Sequence, residues 1–249
     1  MSKVYFISGA NRGIGFSIAK ILAQRPDVKV IATARNVEAA KELAELKAST
    51  GRVEILQLDV SSEESVDALD AQLQKVAADG VDVFISNAGI ADAYATVLEA
   101  PRKVWTHHYK TNVLGPILLF QVLYPYLLKK KTRQIGFVSS VAGSIGNYFP
   151  LSSSAYGQSK AALNYSVKEI SSELDAEEFT VISIHPGVVT TDMGNDAVAK
   201  VSDPNVSEAL KGLAITPESS ATQQVEVFDK LNRELNGKFL NYDGTELVW

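Results

Sequence analysis

Ser8–Gly9–Ala10–Asn11–Arg12–Gly13–Ile14–Gly15 follows the unbroken apolar run Val4, Tyr5, Phe6 and Ile7 and opens a long amphipathic stretch. A continuous apolar run of this length reads as a strand covered on both faces. Glycines at positions 9, 13 and 15 let the chain turn sharply and lie close against a ligand, at the point where a helix would offer its unpaired amides. Working outward, β-rich runs recur at 3–8, 28–34, 53–59, 81–86, 134–139, 180–185 and 238–242. Helical patterns lie between or after them at 13–24, 37–46, 63–78, 102–128, 156–174 and 217–235. Ser61 and Ser62 ahead of Glu63 and Glu64 form an N-cap signature for the third helix. This alternation predicts an α/β, doubly wound Rossmann fold, with about seven parallel strands and helices on both faces. No linker or repeat divides the chain, so residues 1–249 read as one dinucleotide-binding domain. Residues 190–216, with Gly194, Pro204 and Gly212, are the least regular and suit a substrate-binding lid.

Composition removes several classes of function. The 249 residues carry 24 Lys+Arg against 29 Asp+Glu, a net charge of −5, which is not the basic surface a nucleic-acid binder needs. Cysteine is absent, so disulfides, thiolate metal sites and a cysteine nucleophile are excluded together. No G-x-S-x-G, H-E-x-x-H or G-x-x-x-x-G-K-[ST] motif is present, and no metal is expected. His107 and His108 are adjacent and are expected to diverge on a helix, while His185 reads as a packed strand-end residue. The apolar stretch 113–128 is broken by Gly115, Pro116, Gln121 and Pro125 and is shorter than the roughly 20 residues of a bilayer span. It reads as a buried helix, and the expected compartment is the cytoplasm, without membrane or nucleic-acid partners.

The strand ends carry the cofactor chemistry. Beyond the second strand, Arg35 stands where an Asp or Glu would bind the 2′-hydroxyl of an adenosine ribose and a cation would bind a 2′-phosphate. Arg12 adds a second positive charge within the glycine turn, and the two together favour NADP(H) over NAD(H). Asp59 and Val60 close the third strand, where a carboxylate can accept from an adenine amino group. Asn87, Ala88 and Gly89 close the fourth, where small residues let a cofactor lie on the backbone.

Tyr156 and Lys160 are four residues apart at the start of a helix and share a face. A free phenol has a pKa of about 10, and a neighbouring ammonium is expected to lower it, which makes the pair a proton relay. A second Y-x-x-x-K, Tyr126 and Lys130, lies in a Lys run at a helix end and reads as structural. Ser139 and Ser140 end the fifth strand, where either hydroxyl can bond a carbonyl oxygen. Asn112 lies inside a long helix, where its backbone carbonyl can hold a water. Pro186 and Gly187 turn the chain over the site.

In this order, the glycine turn, Asn-Ala-Gly, Asn112, Ser-Ser-Val-Ala-Gly, Tyr156-Gly-Gln-Ser-Lys160 and His-Pro-Gly-Val-Val-Thr-Thr-Asp-Met-Gly resemble the single-domain short-chain dehydrogenase/reductase family over essentially the whole chain. The branch it is most similar to is the sniffer-like and benzil-reductase-like carbonyl reductases. The resemblance implies NADPH-dependent reduction of a ketone or aldehyde. In that reading Tyr156 is the acid, Lys160 lowers its pKa and binds the nicotinamide ribose, Ser140 polarises the carbonyl and Asn112 anchors a water. It also implies cofactor contacts from Gly9, Asn11, Gly13, Ile14, Gly15, Pro186, Gly187, Val189 and Thr191. The stretch between Ser140 and Tyr156, which includes Asn147, Tyr148, Phe149 and Pro150, is about three residues longer than the resemblance implies. With Ile90, Val141, Val188 and Met193 it is expected to shape a pocket for an apolar or aromatic carbonyl compound. The family contains both homodimers and monomers, and the sequence leaves that choice open. An NAD-linked alcohol dehydrogenase and a non-catalytic NADP(H)-sensing protein are the alternative readings.

Overall fold

A computed structural model of the protein describes residues 2–92, 94–149, 153–201 and 203–249. Its centre is a seven-stranded sheet: β1 (Lys3–Ile7), β2 (Val28–Ala34), β3 (Val53–Gln57), β4 (Val83–Ser86), β5 (Gln134–Val138), β6 (Thr180–His185) and β7 (Phe239–Asn241), in the order β3-β2-β1-β4-β5-β6-β7. Every neighbouring pair is parallel. The doubly wound expectation is met, and the chain reverses direction across the sheet between β1 and β4, where such sheets bind ligands.

Each face of the sheet has its own core. On one side Ile18 and Leu22 of α1 (Gly13–Ala23), Leu43 of α2 (Lys41–Thr50) and Val225 and Phe228 of α10 (Pro217–Lys230) pack on Ile7, Val30 and Ile85. On the other, α3 (Glu63–Asp67), α4 (Leu69–Val76), α6 (Gly115–Leu128) and α7 (Ser154–Glu173) supply Val66, Leu73, Leu123 and Val167 against Phe6, Phe84 and Phe137. These three phenylalanines stack edge-on across adjacent strands, with centroids 5.8 Å apart in each pair.

Several helices differ from their predicted bounds. Asn36 Oδ1 accepts from the Ala39 amide, holding residues 36–39 in a turn, so α2 begins at Lys41 rather than 37 and runs to the left-handed Gly51. The 63–78 helix breaks at Ala68 into α3, whose cap is Ser62 as expected, and α4. The last helix stops at Lys230 and gives way to a 3-10 turn at Arg233–Leu235. Residues 102–128 run as α5 (Arg102–Tyr109), a π-turn at Lys110–Leu114 and then α6. That continuous helix has 27 residues and is long enough to cross a bilayer, contrary to the estimate from 113–128 alone, yet Leu119, Leu123 and Leu127 are spent on the sheet. The 190–216 segment is more regular than expected. It contains α8 (Asp192–Ala199), capped by Thr191, and α9 (Pro204–Gly212), capped by Asp203. Its ends are stitched together, because Ile215 donates to the Val188 carbonyl and Thr190 to that of Ile215.

Candidate active site

The glycine turn is held from below. Gly9 adopts φ 66°, a conformation that favours glycine, and its amide donates to Thr33 Oγ1. A Cβ on Gly15 would stand 2.5 Å from both the Gly9 carbonyl oxygen and the Asn87 amide nitrogen, so glycine is required there by close packing. Asn87 Nδ2 donates to the carbonyls of Ser8 and Gly9, while Ser8 Oγ accepts from the Asn87 and Ala88 amides. Asn87 therefore clamps the β1 and β4 ends together, and Ser8, which has no sequence signal of its own, is its partner. No side chain caps α1, so its positive end faces a cleft of about 750 Å³ that runs along the strand ends.

Gly9, Asn11, Arg12, Gly13 and Ile14 line one end of this cleft. Arg35, Asp59, Val60, Ala88 and Gly89 line it further along, and Pro186, Thr191 and Met193 face them from the β6 side. Arg12 Nη1 is 3.0 Å from Asp192 Oδ2, and both side chains are largely exposed, so this pair ties the turn to α8 only weakly. Asp59 accepts from the amide and hydroxyl of Ser61. Burial pushes its carboxyl up, but those two bonds and the Arg35 charge bring it below the ordinary value. A mainly backbone turn at a helix N-terminus, an arginine past β2 and a small-residue strand end fit a dinucleotide carrying an extra phosphate.

The chemistry lies where β5, α7 and the π-turn meet. Tyr156, in the first turn of α7, is enclosed; burial pushes its phenol up, and a hydrogen bond with the Ser140 hydroxyl opposes this. Lys160 is one turn on, with Nζ 2.8 Å from the Val138 carbonyl and 5.9 Å from the Tyr156 ring centroid. Burial lowers Lys160 to about 8. The expectation that Lys160 depresses the Tyr156 pKa is not met by these residues alone, because desolvation dominates the phenol and the ammonium is turned to Val138. Ser140 also caps the turn Val141–Gly143 by accepting from the Ala142 amide. Ser139 faces the other way, donating to Asn164 Oδ1 at 2.6 Å. Asn112 is fully buried and reads the backbone of Ile90 twice: Oδ1 accepts from its amide and Nδ2 donates to its carbonyl. Asn112 Nδ2 also donates to Ser159 Oγ, which in turn donates to the Tyr156 carbonyl, so the π-turn, the β4 loop and α7 are locked together.

Other expectations are corrected. Tyr148 and Phe149 are 74% and 47% exposed and do not line the cleft. Their loop is drawn toward the end of the chain, where Ser144 Oγ donates to the Val248 carbonyl and Gly146 to that of Trp249. Pro150 lies outside the described residues. Gly15, Ser140, Val141, Gly187, Val188 and the buried Val189 also do not line the cleft; Val188 and Val189 are paired with Ile215. His107 and His108 do not diverge in effect, since Asp92 reaches both, at 3.7 and 3.4 Å. His185 is a packed strand-end residue as expected, with its imidazole lowered to about 4 by burial. Sequence reasoning passed over Asp92, Thr111 and Asp196, which line the cleft. Lone polar residues without a motif gave no signal.

Fold and site together define a dinucleotide-dependent oxidoreductase of the doubly wound class. Residues 3–202 match the short chain dehydrogenase family, and the chain belongs to it. It is 50% identical over 246 residues to an uncharacterized oxidoreductase of Schizosaccharomyces pombe, covering 98% of this chain and 97% of that one. Among solved structures, the carbonyl reductase Sniffer of D. melanogaster is 32% identical with a TM-score of 0.86 over 100% of both chains. An NADPH-bound carbonyl reductase from chicken fatty liver is 28% identical with a TM-score of 0.88, covering 100% of this chain and 99% of that one.

Proposed function

We propose that the protein is an NADPH-dependent carbonyl reductase that converts a small ketone or aldehyde to the alcohol. The observation that carries this reading is the placement of Tyr156 and Lys160 on one wall of a cleft whose far end holds Arg35, with the Ser140 hydroxyl hydrogen-bonded to Tyr156. The glycine turn and the α1 N-terminus bind the pyrophosphate, Arg35 meets the 2′-phosphate, and Lys160 holds the nicotinamide ribose. Arg12 joins them by exchanging its exposed partner Asp192 for phosphate. When bound, the nicotinamide supplies the hydride to the carbonyl carbon. Ser140 Oγ donates to the carbonyl oxygen and fixes its place. Tyr156 Oη gives that oxygen its proton, which completes the alcohol. The Asn112 lock keeps the β4 loop against α7, so that Lys160 and Tyr156 keep their spacing. Ile90 and Met193 supply apolar contacts, and residues 190–216 act as the lid, hinged where Val188 and Thr190 pair with Ile215.

Tyr156→Phe tests the reading. It keeps the ring and its packing and removes only the proton donor. NADPH binding is expected to persist while kcat falls by about 10²-fold or more. Turnover close to wild type, followed by nicotinamide absorbance with a reactive diketone, would refute the assignment.

A further inference from the structure

Ser140 is held by more than its own strand. Its hydroxyl caps the turn Val141–Gly143, and that turn sits directly on α7. A Cβ on Gly143 would stand 2.6 Å from the Lys160 carbonyl carbon and 2.7 Å from the Ala161 amide nitrogen, and one on Gly157 would stand 2.9 Å from the Ala142 carbonyl oxygen. The turn therefore touches α7 beside both Tyr156 and Lys160. The loop that follows it is tied to a distant part of the chain. Beyond β7 the chain doubles back, with Leu240 paired antiparallel to Glu246 and the Leu247 amide donating to the Phe239 carbonyl. This brings the next two residues against the loop. Ser144 Oγ donates to the Val248 carbonyl at 2.8 Å, 104 positions away, and accepts from the Asn147 amide. The Gly146 amide donates to the Trp249 carbonyl, also at 2.8 Å. Ser144 is buried. The Trp249 ring is fixed in turn, with its centroid 5.3 Å from that of the buried Phe239 and 5.5 Å from Lys168 Nζ of α7. Ser144, Gly146, Val248 and Trp249 do not line the cleft.

We propose that residues 247–249 form a strap, and that Ser144 and Trp249 are positioning residues that act through Ser140, keeping its turn on α7 and its hydroxyl on Tyr156. The inference rests on the reductase reading and adds to it two residues that touch neither substrate nor cofactor. A hydroxyl that must meet both a carbonyl oxygen and a phenol tolerates little displacement, since about 1 Å of misplacement can cost on the order of 10²-fold in rate. A turn released by the strap keeps its contacts with α7, so the loss should be part of that.

The test measures kcat, KM and NADPH Kd for Ser144→Ala, Trp249→Ala and Trp249→Phe, each alone and combined with Ser140→Ala. Ser144→Ala and Trp249→Ala are expected to lower kcat about tenfold and to leave NADPH Kd within about twofold, because the glycine turn and Arg35 are remote from the strap. Trp249→Phe, which keeps a ring on Phe239, should stay within about threefold of wild type. In the Ser140→Ala background the same substitutions should cost less than about twofold, since the group they act through is gone. Equal fold losses in both backgrounds, as a general loosening of the fold would give, or an unchanged kcat in Ser144→Ala would overturn the proposal. If Trp249→Ala does not fold, Ser144→Ala decides. A second readout needs no turnover. The isotope-labelled Cζ resonance of Tyr156, assigned by its absence from Tyr156→Phe, should move in Ser144→Ala toward its position in Ser140→Ala, and an unmoved resonance refutes the strap. If wild type reduces no ketone, the reductase reading fails, and this resonance decides the strap by itself.

Discussion

Ser139 and Ser140 show what one residue of pleat decides. Neighbours at a strand end point to opposite sides, so only one of the two hydroxyls can meet Tyr156. Ser139 is spent on Asn164 Oδ1, which also accepts from Ser183, while Ser140 meets Tyr156. Ser140→Ala is therefore expected to lower kcat by about 10²-fold with little change in stability. Ser139→Ala should instead cost on the order of 1 kcal/mol of stability and leave kcat within a few-fold. Steady-state kinetics and urea unfolding on both variants check this, and the reverse order would move the role to Ser139. The pair was legible as Ser-Ser before Val-Ala-Gly, but which hydroxyl turns inward depends on Asn164 of α7. The Tyr156–Lys160 spacing was also legible, because four residues make one helical turn. The burial that raises the one and lowers the other is a product of tertiary packing.

At the scale of elements, the end of β2 is where the proposed cofactor choice is tested. Thr33 holds Gly9 through its hydroxyl, and Arg35 follows on the open side of the sheet edge, beside Asp59. A charge-assisted bond to a 2′-phosphate contributes roughly 1.5–3 kcal/mol, or about 10- to 150-fold in affinity. Wild type is expected to prefer NADPH, and Arg35→Asp to shift the kcat/KM ratio toward NADH. Arg12→Ala should shift it less, since Arg12 shares its charge with Asp192. An unchanged ratio in Arg35→Asp would make Arg35 a solvated surface charge. The strand positions were legible from apolar runs, because both faces of every central strand are covered. The π-turn at Lys110–Leu114 was not, since its cause is not in its own residues. Asn112 there answers the backbone of Ile90, 22 positions away in the chain.

For the whole molecule, His185 links stability to pH. Burial holds its folded pKa at about 4, while the unfolded chain titrates near 6.5. Between those values the unfolded state binds the extra proton, so stability falls as pH drops from about 6.5 to 4. The loss is on the order of 3 kcal/mol, and His185→Asn should flatten the slope of urea-unfolding free energy over that window. An equal slope in both proteins would show that other groups carry the acid sensitivity. The sequence by itself determined the seven strands and their alternation with the main helices, the glycine turn and the Tyr156–Lys160 face. Each is written in residues a few positions apart, at the repeat of a strand or a helix. Only the tertiary structure decided that Asn87 clamps Ser8 and Gly9, that Asp92 reaches both histidines and that Tyr148 and Phe149 turn away from the cleft. Those outcomes depend on which loop lands on which helix once both cores have closed on the sheet, and no local period in the chain encodes that.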